Sequence, residues 1–262
     1  MPDPRPKTES NPFTHNVRVV LVGTQEPMNV GAVARAMRNF GMSELWLVAP
    51  EPRVVADLEA RPNSDAYRLA VHADPILDNL QRAETVLEAV GDCQLVLATT
   101  ARSRDIPVGR LAEPREAAQA VAQVAQRGKV ALLFGREMYG LTNEEMDQAG
   151  LIVRIPTAPE QPSLNLAQAV LLLAYEIFVA TANPPPPPPE RLAEREALER
   201  LFKDLESYIL EIGFTDSKRF GYARRRLRRI LHKAELTPAE VQMLRGLLHQ
   251  SRWYAKHGPR EG

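Results

Sequence analysis

Residues 155–169 read IPTAPEQPSLNLAQA. Pro156, Pro159 and Pro162 fall within seven residues, and a Ser-Leu-Asn-Leu then opens a long apolar run. Proline fixes φ and pushes its predecessor into extended geometry. The chain thus leaves an apolar run, resists a helix three times, and then starts one on two small polar residues. A loop that only turns has no use for such stiffening. A loop that holds a ligand gains by it, because it loses little entropy on binding. Ser163 can cap the following helix, leaving free N–H groups and a positive dipole end beside the loop. Asn165 offers two donors and an acceptor. Without a ligand, the same residues read as a capped helix and no more.

Working outward, 17–22 (VRVVLV), 45–48 (LWLV), 95–99 (LVLAT), 130–134 (VALLF) and 152–155 (IVRI) read as strands. Their apolar character is continuous instead of alternating, which fits a sheet covered on both faces. Helical patterns separate them at 30–39, much of 64–90, 114–126 and 143–148, the last opened by a Thr142/Glu145 capping box. Strand–helix alternation predicts a parallel α/β sheet. Residues 184–189 are six consecutive prolines. As polyproline II, at about 3.1 Å per residue, they would form a semi-rigid spacer of about 19 Å. Beyond them only helices are expected, at 192–212, 218–234 and 238–249, with a Thr237/Glu240 capping box. The expected division is a flexible tail 1–16, an α/β domain 17–182, a linker 183–190 and a small all-helical C-terminal domain 191–262.

Of the 262 residues 44% are apolar, enough for a sizeable core, and the net charge is zero. That zero hides an asymmetry. From Glu190 onward 16 Lys/Arg stand against 11 Asp/Glu, so the tail is cationic and the remainder anionic. Such a cationic tail suits a nucleic-acid or membrane surface. The single cysteine, Cys93, rules out an internal disulfide and suits a reducing cytoplasm. Five scattered histidines form no zinc pattern, so no metal is expected. The first sixteen residues hold four prolines and no apolar core of a signal peptide. The uncharged stretch 161–175 has 15 residues, short of the ~18–20 a bilayer needs; no membrane partner is expected.

Ligands of open α/β sheets bind beyond the carboxyl ends of strands. Two further strand ends carry unusual residues. In GTQEPMNVGAVARAM (23–37), Asn29 opens a helix and Arg35 follows nearly two turns later. Asn29 reads most simply as a helix cap, and Arg35 as a solvated side chain. Gly23 and Gly31 are eight apart with Pro27 between, which is not the dinucleotide fingerprint. In FGREMYGLTNEE (134–145), Gly135 allows close backbone approach, and Glu137 and Gly140 complete the turn.

Taken together and in this order, NVGAVARAMRNFG, FGREMYGLTNEE and IPTAPEQPSLNLAQA resemble the three motifs of the SpoU branch of the SPOUT RNA methyltransferases. The match spans roughly 17–182. The resemblance implies an α/β parallel-sheet SPOUT fold with a C-terminal trefoil knot. It implies that the proline-stiffened loop cradles S-adenosyl-L-methionine, with Thr99, Thr100, Ala101, Gly135, Ile155, Pro162, Ser163 and Leu164 at the cofactor. It assigns catalysis to Arg35, surrounded by Asn29, Glu137, Ser163 and Asn165. It also implies a homodimer with active sites at the subunit interface. The apolar helix over 164–182, which should be buried on most faces, agrees with that. With ATTARSR at 98–104 and the basic tail, the resemblance points within the family to enzymes that methylate the ribose of nucleotide 32 in the tRNA anticodon loop, cytidine or uridine.

Residues 217–233, SKRFGYARRRLRRILHK, hold eight Lys/Arg and no acid. Helical spacing places Phe220, Ala223, Leu227, Ile230 and Ala234 on one side, expected inward. Arg225, Arg228 and Arg229 are then expected to share an outer face and, with Arg224, to meet tRNA phosphates. Three rival readings remain: the same chemistry on ribosomal RNA, a silent RNA-binding protein, and a nucleotide-dependent oxidoreductase that lacks its glycine fingerprint.

Overall fold

The computed structural model describes residues 13–101 and 109–257. The first twelve residues, and positions 102–104 of the ATTARSR stretch, lie outside the described residues. In chain order the elements are β1 (Val17–Val22), α1 (Pro27–Asn39), β2 (Glu44–Val48), α2 (Pro52–Glu59), α3 (Asp65–Ala70), α4 (Asp74–Asp78), β3 (Gln81–Ala83), α5 (Val86–Val90), β4 (Leu95–Thr99), β5 (Arg110–Ala112), α6 (Pro114–Val124), β6 (Val130–Phe134), α7 (Asn143–Met146) and β7 (Leu151–Val153). Four helices follow: α8 (Leu166–Ala182), α9 (Arg195–Glu211), α10 (Phe220–Lys233) and α11 (Pro238–His257).

The seven strands form one all-parallel sheet in the order β3-β2-β1-β6-β4-β7-β5. Continuous apolar runs fill its centre because helices cover both faces. One core lies between the sheet and α1, α3, α4, α6 and α8; the other lies under α5 and α7. Arg18 is the polar exception in β1. It is 2% exposed, donating to Glu44 at 2.9 Å and to both Asp92 oxygens at 2.7 and 3.0 Å. Arg18 and Lys129 hold the Asp92 carboxyl down to about 2, against the pull of burial. Cys93 is 1% exposed, and burial pushes its thiol up to about 12, which leaves little nucleophilic thiolate.

The stretch 64–90 is not one helical run. It breaks into α3, α4, β3 and α5, with Ser64 and Thr85 capping two of the pieces. The proline run is not a free spacer. Gln126 donates to the Pro185 carbonyl at 2.7 Å, and Arg127 to those of Pro188 and Pro189 at 2.9 and 3.0 Å. The run is strapped to the end of α6, and the chain then returns to the α/β domain. The backbone N–H groups of Arg195 and Glu196 donate to Cys93 and Gly91 at 2.8 and 2.9 Å. Helix α8 leaves part of its apolar surface uncovered. In the single chain Leu171, Leu172, Tyr175 and Val179 are exposed, as one apolar stripe. Among the described residues no helix is long and apolar enough to cross a membrane, and no metal-binding cluster is found.

Candidate functional site

The carboxyl ends of β4, β6 and β7 surround a cleft of about 380 Å³. Thr99, Thr100 and Ala101 line it from β4, Gly135 from β6, and Ile155, Pro162, Ser163 and Leu164 from the stiffened loop. All eight residues expected at the cofactor therefore meet in one place. Leu166 and Ala169 extend its apolar wall, and Thr157 closes its rim by donating to the Pro162 carbonyl at 3.2 Å. The volume falls within the range of small-molecule sites, and the lining mixes apolar side chains with backbone polar groups, as such sites do.

Glycine shapes the β6 wall. At Gly135 a Cβ would run into the backbone of Gly140 and Leu141. The turn is closed by Gly140 N–H donating to Arg136 C=O at 2.8 Å, with Gly140 at φ +66°. Gly135→Ala is therefore expected to cost about 1–3 kcal/mol through overpacking. Equilibrium denaturation checks this, and an unchanged midpoint would mean that the turn relaxes freely.

Glu137 lines the cleft, but its carboxylate is fully engaged at the start of α1. It accepts from Gln25 N–H at 3.1 Å, Glu26 N–H at 3.3 Å, the Thr24 hydroxyl at 3.3 Å and Asn29 Nδ2 at 2.8 Å. A carboxylate at a helix N-terminus satisfies orphan N–H groups and complements the dipole. Asn29 is not the cap of α1: Glu26 holds the cap position, Pro27 opens the helix and Asn29 lies inside it. Asn29 instead links Glu137 to Asn165, whose Nδ2 donates to Asn29 Oδ1 at 3.1 Å. Nor does Ser163 cap α8. Asn165 does, accepting from Ala167 N–H at 2.9 Å, with Gln168 completing the capping box. Glu137–Asn29–Asn165 thus ties together the three quoted motifs.

Arg35 is exposed on α1 and is not among the residues lining the cleft. It lies about 9 Å along the helix from Asn29. Among the described residues its side chain has no hydrogen bond or ion pair. The sequence reading missed Arg136, which gives both Nη atoms to Glu145 at 3.0 Å and so pins the cleft wall to α7. Glu145 was legible only as half of a capping box, a role it also fills by accepting from Thr142 N–H at 2.7 Å.

The basic helix α10 is rotated from its expected orientation. Ile230 is 61% exposed and Arg228 only 6%. Arg228 donates to both Glu199 oxygens at 2.8 and 3.0 Å and to Glu206 at 2.8 Å. Arg224 is bound to Asp147 at 2.9 Å, and Arg225 stands 3.9 Å from the same oxygen. Of the four arginines expected to meet phosphates, Arg229 alone is exposed, with the exposed Arg226 beside it. The rotation has a physical cause: Glu199, Glu206 and Asp147 line the interior side, and a buried cation needs such partners.

Residues 16–175 match the family described as SpoU rRNA Methylase, and residues 196–260 match the C-terminal domain of the tRNA methyltransferase TrmJ. The Yersinia enterocolitica tRNA (cytidine/uridine-2′-O-)-methyltransferase TrmJ is 39% identical over 241 residues, covering 89% of this chain and 90% of that protein. The Pseudomonas aeruginosa tRNA (cytidine/uridine/adenosine-2′-O-)-methyltransferase TrmJ is 39% identical over 253 residues, with 92% and 95% covered. The crystal structure of TrmJ from Z. mobilis aligns with TM-score 0.75 and 36% identity, over 90% of this chain and 98% of that one.

Proposed function

The chain belongs to the SpoU rRNA methylase family, with a TrmJ-type C-terminal domain, and on that premise we propose that it is an S-adenosylmethionine-dependent tRNA 2′-O-ribose methyltransferase. The observation that carries the reading is the single cleft at three strand ends, with the Glu137–Asn29–Asn165 relay along its edge. The cofactor, when bound, supplies a methyl group activated on a sulfonium. Ile155, Leu164 and Leu166 offer apolar cover for such a ligand, and the turns after β4 and β6 offer backbone donors and acceptors.

A ribose 2′-hydroxyl is a weak nucleophile until its proton departs or is strongly polarised. Glu137 is a poor candidate base, since four donors already occupy it. Arg35 cannot serve as one either, because guanidinium does not deprotonate in proteins. Its charge can stabilise the developing alkoxide or hold the RNA phosphate that takes the proton. Since Arg35 lies outside its own chain's cleft, it acts in the cleft of a second copy. The exposed stripe of α8 beside α1 supports a homodimer through that face. The trefoil knot, formed by the proline-stiffened loop and the helix from Ser163, belongs to the same reading. It is supported by β7 entering the sheet between the earlier strands β4 and β5. A cytoplasmic location accords with the lone buried thiol.

The target is nucleotide 32 of the anticodon loop, cytidine or uridine. Incubation with unmodified tRNA, followed by mass-spectrometric mapping, should place one 2′-O-methyl group there. Methylation of ribosomal RNA instead, or cofactor bound without any transfer, would overturn this assignment. On the extension, Arg229→Ala should weaken tRNA binding at all sequences alike and lower the salt slope by about 1. A slope unchanged from the parent would remove Arg229 from the RNA surface.

A further inference from the structure

Helix α7 has only four residues, too few to hold its own shape. It is clamped from two sides. On one side Glu145 receives both Nη atoms of Arg136 at 3.0 Å, fixing the turn that walls the cleft. On the other, Asp147 caps the C-terminus of α7 and receives Arg224 of α10 at 2.9 Å. The Asp147 carbonyl also accepts from Arg195 Nη2 at 3.0 Å, and Gln148 accepts from Arg195 Nε at 3.4 Å. Asp147 is 6% exposed. Burial pushes its carboxyl up while Arg224 and Arg225 pull it down. Two ion pairs and one helical turn therefore connect the basic helix to the cleft wall.

We propose that Asp147 is a positioning residue that couples the helical extension to the methyl-donor cleft. The Arg224–Asp147 pair holds α7, α7 holds Arg136 through Glu145, and Arg136 holds the 135–141 wall. Arginines of the segment that reads as RNA-binding are thus committed to a carboxylate two residues from the anchor of that wall. An event that draws Arg224 away from Asp147 loosens the cleft, and by reciprocity an occupied cleft strengthens the grip on Arg224. The proposal rests on the methyl-donor reading of the cleft.

The test uses the full chain as Asp147→Asn, Arg224→Gln and the double variant. Each single change should weaken S-adenosylmethionine binding by calorimetry about fivefold. The double variant should be no weaker than either, because both changes break one connection. Hydrogen exchange without cofactor should quicken at 135–141 in all three, while the β6 amides stay protected. Arg224→Lys, which keeps the charge and can still reach one oxygen, should restore binding to within about twofold of the parent. Unaltered exchange at 135–141 in a folded variant, or additive losses in the double variant, would overturn the coupling. If Asp147→Asn does not fold, Arg224→Gln and Arg224→Lys decide the matter. A parent protein that binds no S-adenosylmethionine would instead sink the methyl-donor reading, and the exchange comparison would still decide the coupling.

Discussion

Arg35→Ala should abolish methyl transfer to tRNA, lowering the rate by about 10²–10³-fold, as loss of a charge-stabilising donor does elsewhere. Cofactor binding by calorimetry should stay within about twofold of the parent, since the role given to Arg35 is toward the RNA hydroxyl and phosphate and not toward the methyl donor. Stability should be unaffected as well, because the side chain is exposed and unpaired among the described residues. The combination is diagnostic: chemistry lost, ligand kept, fold kept. A second arm locates the residue. Mixing Arg35→Ala with a variant whose cleft is blocked should regain about a quarter of the parent's sites if Arg35 works across a two-fold dimer. No regain on mixing would place Arg35 and the cleft in one subunit, and near-normal turnover of the single variant would remove Arg35 from the mechanism.

The second large effect is on the extension. Glu199 is 4% exposed and accepts from Arg195 at 2.5 Å and from Arg228 at 2.8 and 3.0 Å. Glu199→Ala would leave two buried cations with one carboxylate fewer between them. Arg195 is already lowered to about 10, by burial first and by the Arg228 charge. Breaking such a buried pair costs about 3–5 kcal/mol, much of what a domain has to spare. Denaturation followed at Trp253 of α11 should register the loss in the extension, while the sheet unfolds as before. A loss below about 1 kcal/mol would mean that water reaches the cluster and the charges are screened.

The sheet was largely legible because its central strands are continuous apolar runs. β1, β4 and β6 begin and end where VRVVLV, LVLAT and VALLF do. Of the three three-residue strands, β3 and β5 were not legible, for a common reason. β3 and β5 are the sheet's edges, and Gln81, Arg82, Arg110 and Leu111 face solvent there; an edge needs no apolar run. The cleft was legible through its three motifs, while Arg136 and Asp147 were not, because their partners lie nine and 77 residues away. Periodicity on α10 showed that the helix is two-sided but did not place the boundary between its faces, since Arg228 is buried while Arg229 and Ile230 are exposed. That boundary was set by Glu199 and Glu206 on α9 and by Asp147 after α7. Similarly, the apolar character of α8 was plain in the sequence, but not that a single chain leaves one stripe of it bare.

The position of β7 between β4 and β5 has a consequence for how the polypeptide matures during translation. β1, β2 and β3 pair among themselves and can assemble soon after residue 83 emerges. Among the described residues β5 is joined only by β7, and β4 only by β6 and β7, so both must wait for residues 130–153. A ribosome stalled between those points would carry half a sheet and an unpaired, Leu-rich β4. Nascent chains at that stage are the ones that will need a chaperone's shelter.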